Sequence, residues 1–142
     1  MAHFGKTSKH KLSTAHNDLQ ILFNEVIKHY DCTILEGYRS IERQKALFDA
    51  GRSKIDGIYK KGKHNYQPSR AVDVAPWPID WNNIKRFYYF GGFVLGVADM
   101  LLKDGKMSYT VRWGGNWHGR IYNRDLQKQS FNDLVHFELI GV

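Results

Sequence analysis

Apolar positions recur at three-and-four spacing in three segments of the chain. This period predicts amphipathic helices over about residues 14–30, 41–50 and 81–103. The N-caps expected for them, in chain order, are Ser13 or Thr14, Ser40 and Asp80.

Four short runs that are apolar or alternate with polar residues predict strands. They cover residues 32–37, 71–76, 109–113 and 134–140. Short strands with helices between them indicate an α+β fold, in which helices pack on a small, mainly antiparallel sheet.

Three segments carry no clear period. Residues 1–12 are basic and polar and are expected to form a flexible arm. Residues 51–70 are rich in Gly, Lys and Ser and predict a long loop of the kind that is either functional or disordered. Residues 116–130 are expected to be loop with some helix.

Length and composition indicate one globular unit. The 142 residues suffice for a single core, so residues 1–142 are expected to form one domain. The one cysteine, Cys32, excludes an internal disulfide and a zinc site built from several thiolates, and it is interpreted as a small buried hydrophobe. Neither a signal peptide nor a membrane span is predicted, so synthesis as a soluble cytoplasmic protein is expected.

The net charge of +7 points to an anionic partner. Nucleic acid, a membrane surface and the polymers of the bacterial envelope all satisfy it, and charge does not choose between them.

Two stretches place charged side chains where the pattern predicts a strand. Asp73 stands in the middle of an apolar run, and a carboxylate there is costly unless it is paired or bound to a metal. Near the C-terminus, Asp133 precedes His136 by three residues and Glu138 follows it by two. His136 and Glu138 share one face of an extended strand, so Asp133 is expected in the turn before it.

These residues suggest a metal-dependent hydrolytic site. Two imidazoles and one carboxylate make a three-ligand zinc site, and the candidates are His64, Asp73 and His136. Zinc polarises a carbonyl and lowers the pKa of water; Asp133 is suited to be the general base, and Arg39 to stabilise a negative intermediate. From the residues alone this is one hypothesis among many, because 7 histidines and 14 carboxylates offer other combinations.

The same residues carry a resemblance to a known family. The quoted motifs, in the family's order, are Gly37-Tyr38-Arg39-Ser40, His64 with Ala71-Val72-Asp73, Trp113-Gly114-Gly115, and Asp133 with His136-Phe137-Glu138. Over about residues 12–140 the chain resembles the zinc peptidases of the D-alanyl-D-alanine carboxypeptidase superfamily, in particular the bacteriophage L-alanyl-D-glutamate endopeptidases used as endolysins. The resemblance implies that His64, Asp73 and His136 bind Zn²⁺. It also implies that Asp133 is the general base and that Arg39 stabilises the substrate carbonyl or oxyanion.

The chain departs from the commoner family pattern around the first histidine. Gly62 stands where relatives have Ser, and nine positions instead of seven separate His64 from Asp73. The metal site is expected to survive, because the loop can bulge between its ligands. The substrate contact of the missing serine is expected from Ser69 or a backbone amide. Many relatives also have Glu in place of Asp133.

The function implied is that of a zinc-dependent phage lytic enzyme, an antimicrobial peptidoglycan hydrolase that cuts the stem peptide between L-Ala and D-Glu. Trp77, Trp113 and Trp117 are candidates to line its cleft, although a core or surface position is favoured for Trp117 and for Trp81. Trp113 is taken as a substrate-binding residue. The implied partner is bacterial peptidoglycan, without nucleic acid or stable membrane insertion, and the implied state is a monomer. Made in the host cytoplasm, the enzyme would reach the wall in the periplasm after a separate pore-former (a holin) gives it access.

Other functions stay open. A D-Ala-D-Ala carboxypeptidase or dipeptidase of the same superfamily needs a group for the terminal carboxylate, and none is identified. A basic nucleic-acid-binding module would use the lysines of residues 60–63 with nearby tyrosines, but leaves Asp73 and Asp133 without a role. A wall-binding domain that keeps the metal without catalysis is disfavoured by Asp133.

Overall fold

The computed structural model describes residues 2–58, 60–118, 129 and 131–142, and these contain four α-helices and four strands. The elements are α1 (Lys6–Ser13), α2 (Asn17–Val26), β1 (Cys32–Glu36), α3 (Ile41–Asp49), a 3₁₀ turn (Lys63–Asn65), β2 (Ala71–Pro76), α4 (Ile84–Lys103), β3 (Thr110–Gly114) and β4 (Asp133–Ile140). The loop predicted over 116–130 falls mostly outside the described residues.

The strands form one antiparallel sheet in the order β1-β2-β4-β3. This confirms the predicted α+β fold with a small antiparallel sheet. The two central strands, β2 and β4, are paired so that Asp73 lies directly opposite His136. Side chains at directly opposed positions share one face of a sheet and approach closely. The strand register therefore joins the two residues that the sequence singled out.

Helices α2 and α4 cover one face of the sheet and form the core with it. Phe137 of β4 is fully buried and makes edge-on ring contacts with Phe23 of α2 at 5.5 Å and with Phe90 of α4 at 6.1 Å. Cys32 is buried as expected, and burial raises the pKa of its thiol to about 12, so it packs as a neutral hydrophobe. Among the described residues, no helix is long and apolar enough to cross a membrane.

One predicted helix cap is confirmed and two are wrong. The Ser40 hydroxyl accepts a hydrogen bond from the Arg43 amide at 3.1 Å, as an N-cap does. Helix α2 begins later than predicted, behind His16, whose Nδ1 accepts from the Asp18 amide. Helix α4 is capped by Asn83, whose side chain accepts a hydrogen bond from the Arg86 amide. The predicted cap, Asp80, lies in the turn before the helix and accepts from the Asn82 amide.

The N-terminal segment is not the flexible arm that its polar composition predicts. Residues Lys6–Ser13 form α1, and Phe4 and Leu12 are buried in the core. The Ser8 hydroxyl accepts a hydrogen bond from the Ile34 amide of β1 at 3.1 Å. Two apolar anchors and one bond to the sheet edge therefore hold a segment whose other residues are mostly polar.

One glycine of α4 has a packing role that yields a prediction. A Cβ on Gly91 would lie 2.4 Å from the Trp113 indole, whereas nothing lies within 4 Å of one on Gly92. Gly91→Ala is expected to lower the free energy of unfolding by about 1–3 kcal/mol through overpacking. Gly92→Ala, the matched control, should raise it by about 0.5–1 kcal/mol through helix propensity. Urea unfolding of both variants checks this, and equal effects would contradict the contact.

Candidate active site

Strand β4 brings Asp133 and His136 to one cleft by leaving the regular register. Trp113 pairs with Phe137, yet the next residue, Gly114, pairs with Asp133, so one step along β3 matches four along β4. A bulge of this kind breaks the alternation of side chains. Asp133 therefore lines the same cleft as His136 although it is the first residue of the strand and not, as predicted, part of the preceding turn.

His64 is held by the short 3₁₀ turn, which is fastened to the chain after β1. Its Nδ1 lies 2.8 Å from the Gly37 carbonyl oxygen, and its own carbonyl accepts from the Arg39 amide at 2.8 Å. The Asn65 side chain donates to the Arg39 carbonyl at 2.9 Å. Because the Gly37 carbonyl only accepts, Nδ1 carries a hydrogen, and Nε2 is the ring nitrogen that faces Asp73.

The three predicted metal ligands meet in the cleft. One carboxylate oxygen of Asp73, Oδ1, lies 3.1 Å from His64 Nε2 and 3.3 Å from His136 Nδ1. All the potential ligand atoms lie within 4.8 Å of one another. Two imidazole nitrogens and a carboxylate oxygen are a donor set that zinc prefers, with one position left for a further ligand. The residues present therefore fit a zinc ion.

The second nitrogen of His136 is oriented by an ion pair that sequence reasoning only partly found. His136 Nε2 donates to Glu138 Oε1 at 2.8 Å, and Arg112 donates to Glu138 Oε2 at 2.7 Å. The sequence pattern places Glu138 on the same strand face as His136, and the structure shows that it is the partner of this histidine. Arg112 was missed, and its position opposite Glu138 in the β3–β4 register is the signal that finds it.

Neighbouring charges set the ionisation of the ligands. Burial opposes the charge of Asp73, but His64 and His136 hold the pKa of its carboxyl well below the usual range. Burial also opposes the charge of His136, but its hydrogen bonds to Asp73 and Glu138 raise its pKa to about 9. Without a metal, His136 is therefore an imidazolium at neutral pH.

The predicted base and the predicted cation line the same cleft. Burial and the negative charge of Asp73 raise the pKa of Asp133. Arg39 donates to Glu36 from Nη2 at 2.7 Å and from Nε at 3.0 Å, and reaches Asp73 at 3.5 Å. Its side chain is 12% exposed, so it belongs to the cleft wall and not to the surface.

Three of the predicted cleft residues lie elsewhere. Ser69 is fully buried, with its hydroxyl donating to the Ala71 carbonyl, so it serves the backbone. Trp113 is buried and Trp77 lies outside the residues that line the cleft. Trp117 does line the cleft, which has a volume of about 470 Å³, with its ring 5.5 Å from that of His136.

An antiparallel sheet that brings together a His–Asp–His group able to hold a metal ion and a carboxylate of raised pKa is the arrangement expected of a metal-dependent hydrolase. The family model for the phage L-alanyl-D-glutamate peptidase matches residues 1–140, and the chain belongs to this family. This confirms the family that the sequence motifs indicate.

Two relatives support the assignment. The peptidoglycan L-alanyl-D-glutamate endopeptidase CwlK of Bacillus subtilis (strain 168) is 31% identical over 119 residues, which cover 80% of this chain and 63% of CwlK. The chain thus spans less than two thirds of the length of that relative. The crystal structure of the Serratia marcescens L-Ala D-Glu endopeptidase ChiX has the same fold, with a TM-score of 0.67 and 21% identity over 96% of this chain and 90% of ChiX.

The protonation of His136 predicts a pH-dependent metal affinity. An imidazolium cannot ligate, so below about pH 9 the metal must displace a proton from His136, whereas Asp73 is already ionised. The apparent affinity for Zn²⁺ should fall about tenfold per pH unit from pH 8.5 to pH 7. Titration calorimetry in buffers of different ionisation enthalpy should detect the released proton. An affinity that does not change with pH would contradict this proton release from His136.

The contact between Glu138 and His136 predicts that Glu138 supports metal binding indirectly, by orienting the His136 ring. Glu138→Ala frees the His136 ring to rotate, and we expect an affinity for Zn²⁺ lower by about 10- to 100-fold. Glu42→Ala, which removes an exposed carboxylate of α3 outside the cleft lining, is the matched control. Competition with a chromophoric chelator measures both. Equal affinities in the two variants would mean that the ring is held without Glu138.

Proposed function

We propose that the chain is a zinc-dependent endopeptidase that hydrolyses the stem peptide of bacterial peptidoglycan between L-Ala and D-Glu. The observation that carries this proposal is the convergence of His64, Asp73 and His136 with Asp133 in one cleft, in a chain of the L-alanyl-D-glutamate peptidase family. The relative CwlK, described as a peptidoglycan L-alanyl-D-glutamate endopeptidase, supports the choice of bond.

Zinc, held by His64, Asp73 and His136, would supply Lewis acidity to the scissile carbonyl and to the attacking water. Asp133 accepts the proton of that water and passes it to the leaving amine. Its raised pKa suits the first of these steps, because a carboxylate of higher pKa takes up a proton more readily than an ordinary aspartate does.

Arg39 provides the positive charge that the reaction needs when the carbonyl oxygen becomes negative. Its guanidinium is fixed on three sides, by Glu36, by Gln44 at 3.0 Å and by Asp73 at 3.5 Å. A cation held in this way does not have to be ordered as the charge develops, so its stabilisation is available at once.

The nucleic-acid alternative is not supported by the contacts of its candidate residues. The Lys61 ammonium lies 4.4 Å and the Arg70 guanidinium 3.8 Å from the centre of the Tyr66 ring, so this ring is occupied by cations of the chain itself. Lys63 donates to the Leu139 carbonyl at 3.0 Å. These groups serve internal contacts instead of presenting a stacking face and free charges to a base and its phosphate.

We also propose the setting in which the enzyme acts. The family is one of phage peptidases, which supports a lytic enzyme made in the host cytoplasm that reaches the wall in the periplasm through a separate pore-former, a holin, and acts as a monomer. The net charge of +7 favours its attraction to the anionic bacterial envelope.

Digestion of purified peptidoglycan tests the function. The wild type should create new D-Glu amino termini, identified by mass spectrometry. Asp133→Ala should keep its zinc and lose about 10²- to 10⁴-fold in rate, because only proton transfer is removed. His136→Ala should lose the zinc itself, by elemental analysis.

Asp104→Ala, which removes an exposed carboxylate after α4, is the control and should behave as the wild type. Release of free D-Ala in place of D-Glu termini would favour the carboxypeptidase. Equal zinc content in the wild type and His136→Ala would refute the ligand assignment.

A further inference from the structure

A second, smaller groove of about 200 Å³ adjoins the active-site cleft. Its lining includes Trp81, Ile84, Phe87, Asp133, Leu134 and Val135. Asp133 lines both this groove and the cleft, so the two spaces meet at the proposed base. The mechanism described above uses the cleft and leaves the groove without a role.

Trp81 forms an aromatic platform at this groove. Its ring stacks on Phe87 with the centroids 5.4 Å apart and the planes 14° from parallel. Phe87 is buried, whereas Trp81 is 57% exposed, so one face of the indole is supported and the rest is open to solvent. Ile84 beside it is 50% exposed. A supported ring of this kind loses little conformational freedom when a ligand covers it.

The spaces on the two sides of Asp133 differ in charge. On the cleft side, Arg52 and Lys54 have no carboxylate partner among the residues that the structure describes. Lys54 lies 4.8 Å from the centre of the Phe131 ring, which does not neutralise it. In the groove, Asp133 is the one charged residue among the described lining residues. The cleft therefore suits an acidic segment and the groove an uncharged one.

We propose that the groove at Trp81 binds the amino sugar to which the stem peptide is attached, an inference that rests on the proposed function. In the stem peptide every free carboxylate follows the scissile bond, starting with that of D-Glu. The part before the bond is uncharged, since L-Ala is joined by an amide to the lactyl group of the sugar. Arg52 and Lys54 then face the carboxylates, and Trp81 packs against the C–H face of the pyranose ring.

The length of the substrate agrees with this direction. One residue, L-Ala, separates the scissile carbonyl from the lactyl group, and an extended residue spans about 3.5 Å. A site for the sugar must therefore begin directly beside the general base. The groove meets this condition, because Asp133 forms part of its wall.

The test compares two synthetic substrates, the stem tetrapeptide carrying its disaccharide and the same tetrapeptide with an N-acetyl group instead. The quantity compared is kcat/KM for the disaccharide substrate divided by kcat/KM for the N-acetyl substrate. Trp81→Ala should lower this ratio about tenfold relative to the wild type, which is the effect of losing one apolar contact. Trp81→Phe should restore most of that ratio. Trp77→Ala is the matched control, since Trp77 is also half exposed but lines neither space, and should leave the ratio unchanged.

A binding measurement separates this inference from the proposed function. Zinc-loaded Asp133→Asn, which keeps the shape of the side chain, is titrated with the disaccharide tetrapeptide with and without Trp81→Ala. If the enzyme hydrolyses both substrates and Trp81→Ala does not change the ratio of their kcat/KM values, the sugar site is overturned and the endopeptidase function stands. Binding that weakens with Trp81→Ala when the wild type cuts neither substrate supports the sugar site and overturns the endopeptidase. If the disaccharide tetrapeptide does not bind, or if Trp81→Ala does not change its affinity, the sugar site is overturned whether or not the wild type cuts the substrates.

Discussion

The carboxylate of Asp73, whose side chain is only 14% exposed, is the charge on which the site depends. It lies in the centre of the sheet, where an ionised group is tolerated only with charged or hydrogen-bonding partners. His64, His136 and Arg39 supply them, from the 3₁₀ turn, from β4 and from the segment after β1. Removing one partner of a buried pair typically costs about 3–5 kcal/mol. One electrostatic requirement thus draws three separate parts of the chain together and places the proposed metal ligands side by side.

The sequence predicted well those features that depend on local period and on residue chemistry. The helices around Phe23 and Phe90 and the strands on either side of Asp73 follow directly from the spacing of apolar positions. The N-terminal segment was not predicted correctly. Among its described residues, only Phe4, before helix α1, and Leu12 within it are both apolar and buried, and these are too few to form a recognisable apolar stripe. Its order comes from contacts with residues distant in the chain, which no local pattern contains.

The candidate site divides in the same way. His64, Asp73 and His136 were found because a mid-strand carboxylate and two histidines have a specific chemical use, and the motifs agreed. Arg112 was not found, since its partner Glu138 is 26 residues away and only the sheet register unites them. Nor does alternation predict the bulge in β4, which depends on pairing with β3. The local sequence pattern therefore does not predict how the strands pair, and this pairing determines how the candidate ligands are oriented.

The contact between Ser8 and Ile34 bears on the behaviour of the protein at high concentration. The strand order leaves β1 at an edge of the sheet, where free amides are a template for the strands of other molecules. Helix α1 covers this edge, and the Ser8 hydroxyl occupies one of its amides and lies 3.1 Å from the Thr33 hydroxyl. The first residues of the chain thus cover strand amides that could otherwise pair with a strand of another molecule. A shortened chain that begins at α2 would expose the β1 edge of the sheet to pairing with other molecules, although it would keep His64, Asp73 and His136.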